Sequence, residues 1–143
     1  MKKKKTGCLT IILAVLALFI ATDLFQRFVP SRICRALPSS AKNINEKWMG
    51  LGFFGDFSRI LKAQLPEKDY FDFVQSIGLE TKYEPKLHAG KEWGFVDIRV
   101  GGPEWWDEPS NLENCFFAYQ PGREYVCRVQ YRNGYVYFTE VKW

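Results

Sequence analysis

The stretch Tyr125-Val126-Cys127-Arg128-Val129-Gln130-Tyr131-Arg132-Asn133-Gly134-Tyr135-Val136-Tyr137-Phe138-Thr139-Glu140-Val141-Lys142-Trp143 is patterned on both sides of Asn133-Gly134. Tyr125, Cys127, Val129 and Tyr131 precede the dipeptide at every second position, and Tyr135, Tyr137, Thr139 and Val141 follow it in the same way. A period of two belongs to a pleated strand, whose successive side chains point to opposite faces. Asn-Gly is the strongest short hairpin signal, because both central residues of a two-residue type I′ turn need positive φ. The stretch therefore predicts an antiparallel hairpin with strands over 125–131 and 135–143.

Toward the amino terminus, 115–119 reads as another strand, joined to the hairpin by a turn at Pro121-Gly122. Residues 104–113 form a loop, and 93–100 read as a strand with Gly94, Val96, Ile98 and Val100 on one face. Residues 80–92 are polar and loop-like. Before them lies the clearest helix. Tyr70, Phe73, Val74 and Ile77 fall at i, i+3, i+4 and i+7, Pro66 opens the run and Gly78 closes it. A first hairpin is predicted from strands at 44–54 and 57–63 around Gly55-Asp56, with the nearby glycines marking a bulge or a close backbone approach. The order β-β-α-β-β-β-β is α+β: a small antiparallel sheet packed on one helix.

A different pattern occupies the amino terminus. The 17 residues from Thr6 to Thr22 carry no charge, and Lys2, Lys3, Lys4 and Lys5 precede them. As a helix they rise about 26 Å, against about 30 Å of bilayer hydrocarbon. The reading is a basic cytoplasmic tail (1–5), an N-terminal transmembrane helix (6–25), a stalk (26–40) punctuated by Pro30 and Pro38, and an extracytoplasmic domain (41–143). The four lysines orient the span with its amino terminus in the cytoplasm. Secretion after signal cleavage is the alternative, but Phe19 stands at the third position before a cut after Ala21, where a small residue is needed.

The formal net charge is +4, which the four leading lysines supply in full. The remainder is neutral and carries no electrostatic footprint for nucleic acid. With one histidine, His88, in the chain, multi-histidine metal sites and mechanisms are nearly excluded. His88 reads as a solvated loop residue. No cofactor and no catalytic residue is expected.

Three cysteines, Cys34, Cys115 and Cys127, follow the apolar run. A three-residue loop at 120–122 makes facing residue numbers sum to 242, which sets Cys115 opposite Cys127 as a possible disulfide. A four-residue turn shifts that register by one and sends the two thiols to opposite faces. No Cys-x-x-Cys or Cys/His spacing suggests zinc.

The most unusual segment is Gly101-Gly102-Pro103-Glu104-Trp105-Trp106-Asp107-Glu108-Pro109. Adjacent tryptophans beside acids make Trp105, Trp106, Glu104 and Asp107 the candidate interaction residues, either as a platform for a sugar ring or a peptide, or with one indole plugging the core and the other rimming it. A glycosidase pair drawn from Glu104, Asp107 and Glu108 would need a cleft that so small a domain rarely makes.

The start Leu37-Pro38-Ser39-Ser40-Ala41-Lys42-Asn43-Ile44, the helix at 66–77, the Trp105-Trp106 pair and the closing hairpin together resemble small uncharacterised bacterial membrane-anchored envelope proteins, in which a Pro-x-Ser-Ala start leads into a compact α+β domain. The resemblance implies an envelope location and no particular activity. The expected function is a non-catalytic module that binds a protein or envelope partner through the tryptophan loop or an open sheet edge. A small-ligand or glycan-binding module is the alternative, and a minimal hydrolase comes third.

Overall fold

The structure is a computed structural model that describes residues 4–50, 57–84, 102–108, 112, 114–120 and 125–142. The chain divides into two compact units, Met1–Ser31 and Arg32–Trp143. The first unit holds helix α1 (Lys4–Phe28). Its side chains are described from Leu9 onward, and every described one within the helix is exposed. Among the described residues, no helix is long and apolar enough to cross a membrane.

The second unit is α+β. In chain order it contains α2 (Arg32–Ala36), β1 (Lys42–Gly50), β2 (Phe57–Gln64), α3 (Glu67–Ser76), β3 (Thr81–Lys82), β4 (Cys115–Gln120), β5 (Tyr125–Arg132) and β6 (Tyr135–Lys142). The six strands form one sheet in the order β1-β2-β6-β5-β4-β3, with every neighbouring pair antiparallel. The closing hairpin folds as its sequence predicts. Arg132 pairs with Tyr135, and Asn133 and Gly134 take φ of 51° and 82°, the left-handed values a type I′ turn requires.

Helix α3 also follows its sequence signals. Glu67 and Asp69 stand in the first turn, at the positive end of the helix dipole. At the other end Gly78 takes φ 76°. Its N–H donates to the Gln75 carbonyl at 3.0 Å, and the Leu79 N–H donates to the Val74 carbonyl at 3.2 Å. Those two bonds make a Schellman cap, satisfying carbonyls that a helix end leaves without partners.

One face of the sheet packs under α3. Leu61 and Ala63 of β2, Val136 and Phe138 of β6, and Cys127 and Val129 of β5 meet Tyr70, Phe73 and Val74 of the helix. Two phenols tie the layers together. Tyr70 donates to the Asn114 carbonyl at 2.6 Å, and Tyr131 donates to the Leu65 carbonyl at 3.0 Å. A buried hydroxyl with a partner avoids the desolvation penalty of an orphaned one.

Several expectations are corrected. The segment read as stalk contributes to the domain: Ile33, Cys34 and Ala36 of α2, with Leu37, pack on this core. Their spacing puts apolar residues on one side of a single helical turn. A short strand, β3, replaces the expected loop start, because Thr81 and Lys82 pair with Phe117 and Phe116, and the Tyr83 N–H donates to the Cys115 carbonyl at 2.8 Å. Two residues are too few to show a period. Among the described residues, the register of the first hairpin shifts between Lys42 and Asn45, beside Asn43, which takes φ 50°; Gly52 and Gly55 lie outside the described residues. Gly50 is a close approach. A Cβ there would lie 2.5 Å from the Trp48 ring, which folds back along its own strand. The expected strand at 93–100, the turns at Gly55-Asp56 and Pro121-Gly122, and His88 lie outside the described residues.

The Cys115–Cys127 bridge is not formed. The register pairs Cys115 with Gln130 and Ala118 with Cys127, so facing numbers sum to 245. An odd sum separates the two thiols by face: Cys127 lies in the core under α3, and Cys115 lies on the other side with Tyr83 and Phe117. Both thiols are free. Burial pushes Cys115 up to about 12, against the lowering effect of the Arg128 charge, and burial pushes Cys127 up to about 11. The thiolate is the nucleophile, so both are expected to react with a maleimide at pH 8 more than about a hundredfold slower when folded than in denaturant. Mass spectrometry of quenched samples reads this. Fast labelling of the folded chain, or a mass short of two hydrogens, would contradict it.

Candidate functional site

The tryptophan segment lies against the sheet face opposite α3. Its backbone turns at Pro103–Trp106, where the Trp106 N–H donates to the Pro103 carbonyl at 2.9 Å. The turn brings the two indoles edge to face, with centroids 5.9 Å apart and planes at 85°. Trp106 is only 6% exposed. It packs on Ile60, Tyr137 and Val141, with its ring 5.7 Å from that of Tyr137. Trp105 is half-buried and packs against this second cluster, as do Met49 and Tyr135. One indole is a plug and the other a rim. A two-tryptophan platform needs both faces open, and this arrangement closes one of them.

Charged residues fasten the segment on either side of the plug. Lys62 reaches up from β2 and donates to Asp107 Oδ1 at 2.5 Å and to the Trp105 carbonyl at 3.3 Å. Its ammonium lies 4.8 Å from the Tyr135 centroid and 5.5 Å from that of Tyr137. Tyr137 also donates to Asp107 Oδ1 at 3.2 Å. On the far side, Arg128 Nη2 of β5 donates to Glu108 Oε2 at 2.5 Å, with both side chains less than a tenth exposed.

These contacts set the chemistry of the acids. Burial raises the Asp107 carboxyl, but the hydrogen bond and charge of Lys62, helped by Tyr137, outweigh it and hold Asp107 below its ordinary 3.8. A carboxyl depressed on folding stabilises above its unfolded pKa, and that stabilisation fades as pH falls through the folded value. The Lys62–Asp107 contact is thus intact at neutral pH and weakens only in acid below the ordinary carboxylate range. The Asp107 side chain is 65% exposed, so solvent screening keeps the pair small, below about 1 kcal/mol. An ionised, lysine-paired carboxylate is poorly suited to act as a general acid at neutral pH. Glu104 is exposed at the turn. Among the described residues, no cluster of three or more His, Cys, Asp or Glu side chains could hold a metal ion. Trp105, Trp106, Asp107 and Glu108 work together as a fastened strap over the second face.

Two other surfaces are more open. The first is the outer side of β1, which no described strand covers. That edge carries Lys42 and Lys47 and is bent by the Asn43 bulge, both of which discourage pairing. A symmetric antiparallel pairing with a second copy centred on Glu46 or on Lys47 would also set like charges opposite each other.

The second is a groove of about 490 Å3 between α3 and β4, lined by Phe71, Val74, Gln75, Leu79, Glu80 and Phe116. The groove is open to solvent and its lining is mixed: Phe71, Gln75 and Glu80 are exposed, and Val74, Leu79 and Phe116 are buried or half-buried. Phe71 stands at its lip 55% exposed. The helix pattern carries the signal for it: Phe71 falls off the Tyr70-Phe73-Val74-Ile77 stripe, and a large aromatic residue on the solvent side of a helix has no core role. Phe116, Leu79 and Glu80 join it only through the strand register, which local sequence does not reveal.

No family model, curated protein or solved structure matches this chain.

Proposed function

We propose that the chain is a single-span membrane protein carrying a non-catalytic interaction domain on the outer side of a cytoplasmic membrane, where the α3–β4 groove receives a segment of a protein or other envelope partner. The uncharged run Thr6–Thr22 supports the anchor. It begins before the first described side chain of α1, and its apolar residues from Leu9 to Ile20 are exposed on all sides of the helix. A helix apolar all round needs an apolar surrounding. Lys2–Lys5 favour the cytoplasmic side for the amino terminus. The half-buried Cys34 and the buried Cys115 and Cys127 form no disulfide with one another, so this placement rests on the span and its charge and not on a disulfide.

The observation that carries the interaction reading is the exposed Phe71 at the mouth of a groove with mixed apolar and polar lining, while the tryptophan strap is closed by its own contacts. A photo-reactive phenylalanine analogue at position 71, in the full chain in its native membrane, is expected to give one discrete adduct on irradiation. The same analogue at Ile44, on the bent and charged edge of β1, is expected to give none. Equal adducts at both positions, or none at 71, would contradict the reading.

A further inference from the structure

We propose that the α3–β4 groove is an arginine-directed peptide site, which takes a partner segment whose apolar residues flank an arginine. This rests on the interaction-domain reading and names the chemistry of the partner. The groove has an apolar floor and a polar mouth. Val74 and Leu79 are buried beneath it, Phe116 is partly buried beside them, and Phe71, Gln75 and Glu80 are exposed. Phe71 lies beside two other rings. Its ring stands 6.1 Å from that of Phe116 at 88°, and 5.4 Å from that of Tyr70 at 55°.

A solvent-exposed aromatic ring in the same groove as a carboxylate and an amide oxygen matches a guanidinium. That group is planar, stacks on ring faces and donates a fork of hydrogen bonds to a carboxylate. The floor behind it accepts aliphatic side chains. The lining residues include Glu80 and no cation. Residues 67–84 carry five acids, Glu67, Asp69, Asp72, Glu80 and Glu84, and two bases, Lys68 and Lys82, of which Lys82 is paired with Phe116 and shares its face of the sheet. The net of −3 favours a basic occupant and disfavours a fatty acid or an anionic headgroup. A second copy is disfavoured too, since a twofold interface centred on this groove would set Glu80 against Glu80.

The test uses the full chain in nanodiscs and two dye-labelled synthetic peptides with cores Leu-Arg-Leu-Leu and Leu-Gln-Leu-Leu, read by fluorescence anisotropy. The arginine peptide is expected to bind at least about fivefold tighter. Glu80→Gln should abolish that difference and leave the affinity of the glutamine peptide unchanged. Phe71→Ala should weaken both peptides. Both positions are exposed, so neither variant should change the unfolding temperature appreciably. Equal affinities for the two peptides, or a Glu80→Gln loss common to both, overturns the arginine assignment while sensitivity to Phe71→Ala keeps the groove. Insensitivity to Phe71→Ala, or no binding of either peptide, overturns the groove reading as well.

Discussion

Phe138→Ala is expected to lower the unfolding temperature of the domain by about 12–20 °C, read by circular dichroism of the full chain in detergent micelles. Phe138 is fully buried on β6, paired with Leu61 on one side and Val129 on the other, in the cluster that packs under α3. Truncating a buried phenylalanine removes its transfer free energy and leaves a cavity, which together cost about 3–5 kcal/mol. Phe71→Ala is the internal control. The same truncation at a residue already 55% exposed should stay within about 0.5 kcal/mol. Similar losses at the two positions would mean that the sheet–helix core is not where the structure places it.

The second large effect is expected at the strap. Glu108→Ala removes the carboxylate to which the buried Arg128 guanidinium donates. Breaking a buried ion pair from one side typically costs about 3–5 kcal/mol, because a charge stays in a poorly solvated place without its counter-ion. Loosening the strap should also expose Trp106 and shift part of the tryptophan emission to the red. The paired variant Glu108→Leu with Arg128→Met separates this cause from simple loss of packing. Replacing both charges by apolar groups is expected to recover most of the stability. If the double variant is as unstable as the single one, the cost lies in the shape of the strap and not in its charge.

What could be read from the sequence follows a physical division. The closing hairpin and α3 were legible because their signals are local: Asn133-Gly134 dictates its own turn, and the Tyr70–Ile77 stripe and Gly78 define a helix and its end. β3 was not legible, since its two residues are strands only by virtue of Phe116 and Phe117. The Cys115–Cys127 pairing turned on one question of parity, the length of the connection between β4 and β5, and the observed register is the alternative that separates the thiols. At the candidate site the tryptophan segment is unusual in sequence, and the plug-and-rim arrangement is one of the two forms its sequence allows. The partners that close it, Lys62, Arg128 and Tyr137, arrive from strands distant in sequence. The groove was invisible for the same reason, apart from the misplaced aromatic at Phe71.

Placement of the domain outside the membrane is the premise of the proposed role. A tandem alkaline phosphatase and green fluorescent protein reporter fused after Trp143 tests it, because the first is active only outside the cytoplasm and the second is fluorescent only within it. The account predicts phosphatase activity without fluorescence, in a fusion that stays with the membrane through a carbonate wash. Fluorescence without phosphatase activity, or release of the intact fusion into the soluble fraction, would contradict it.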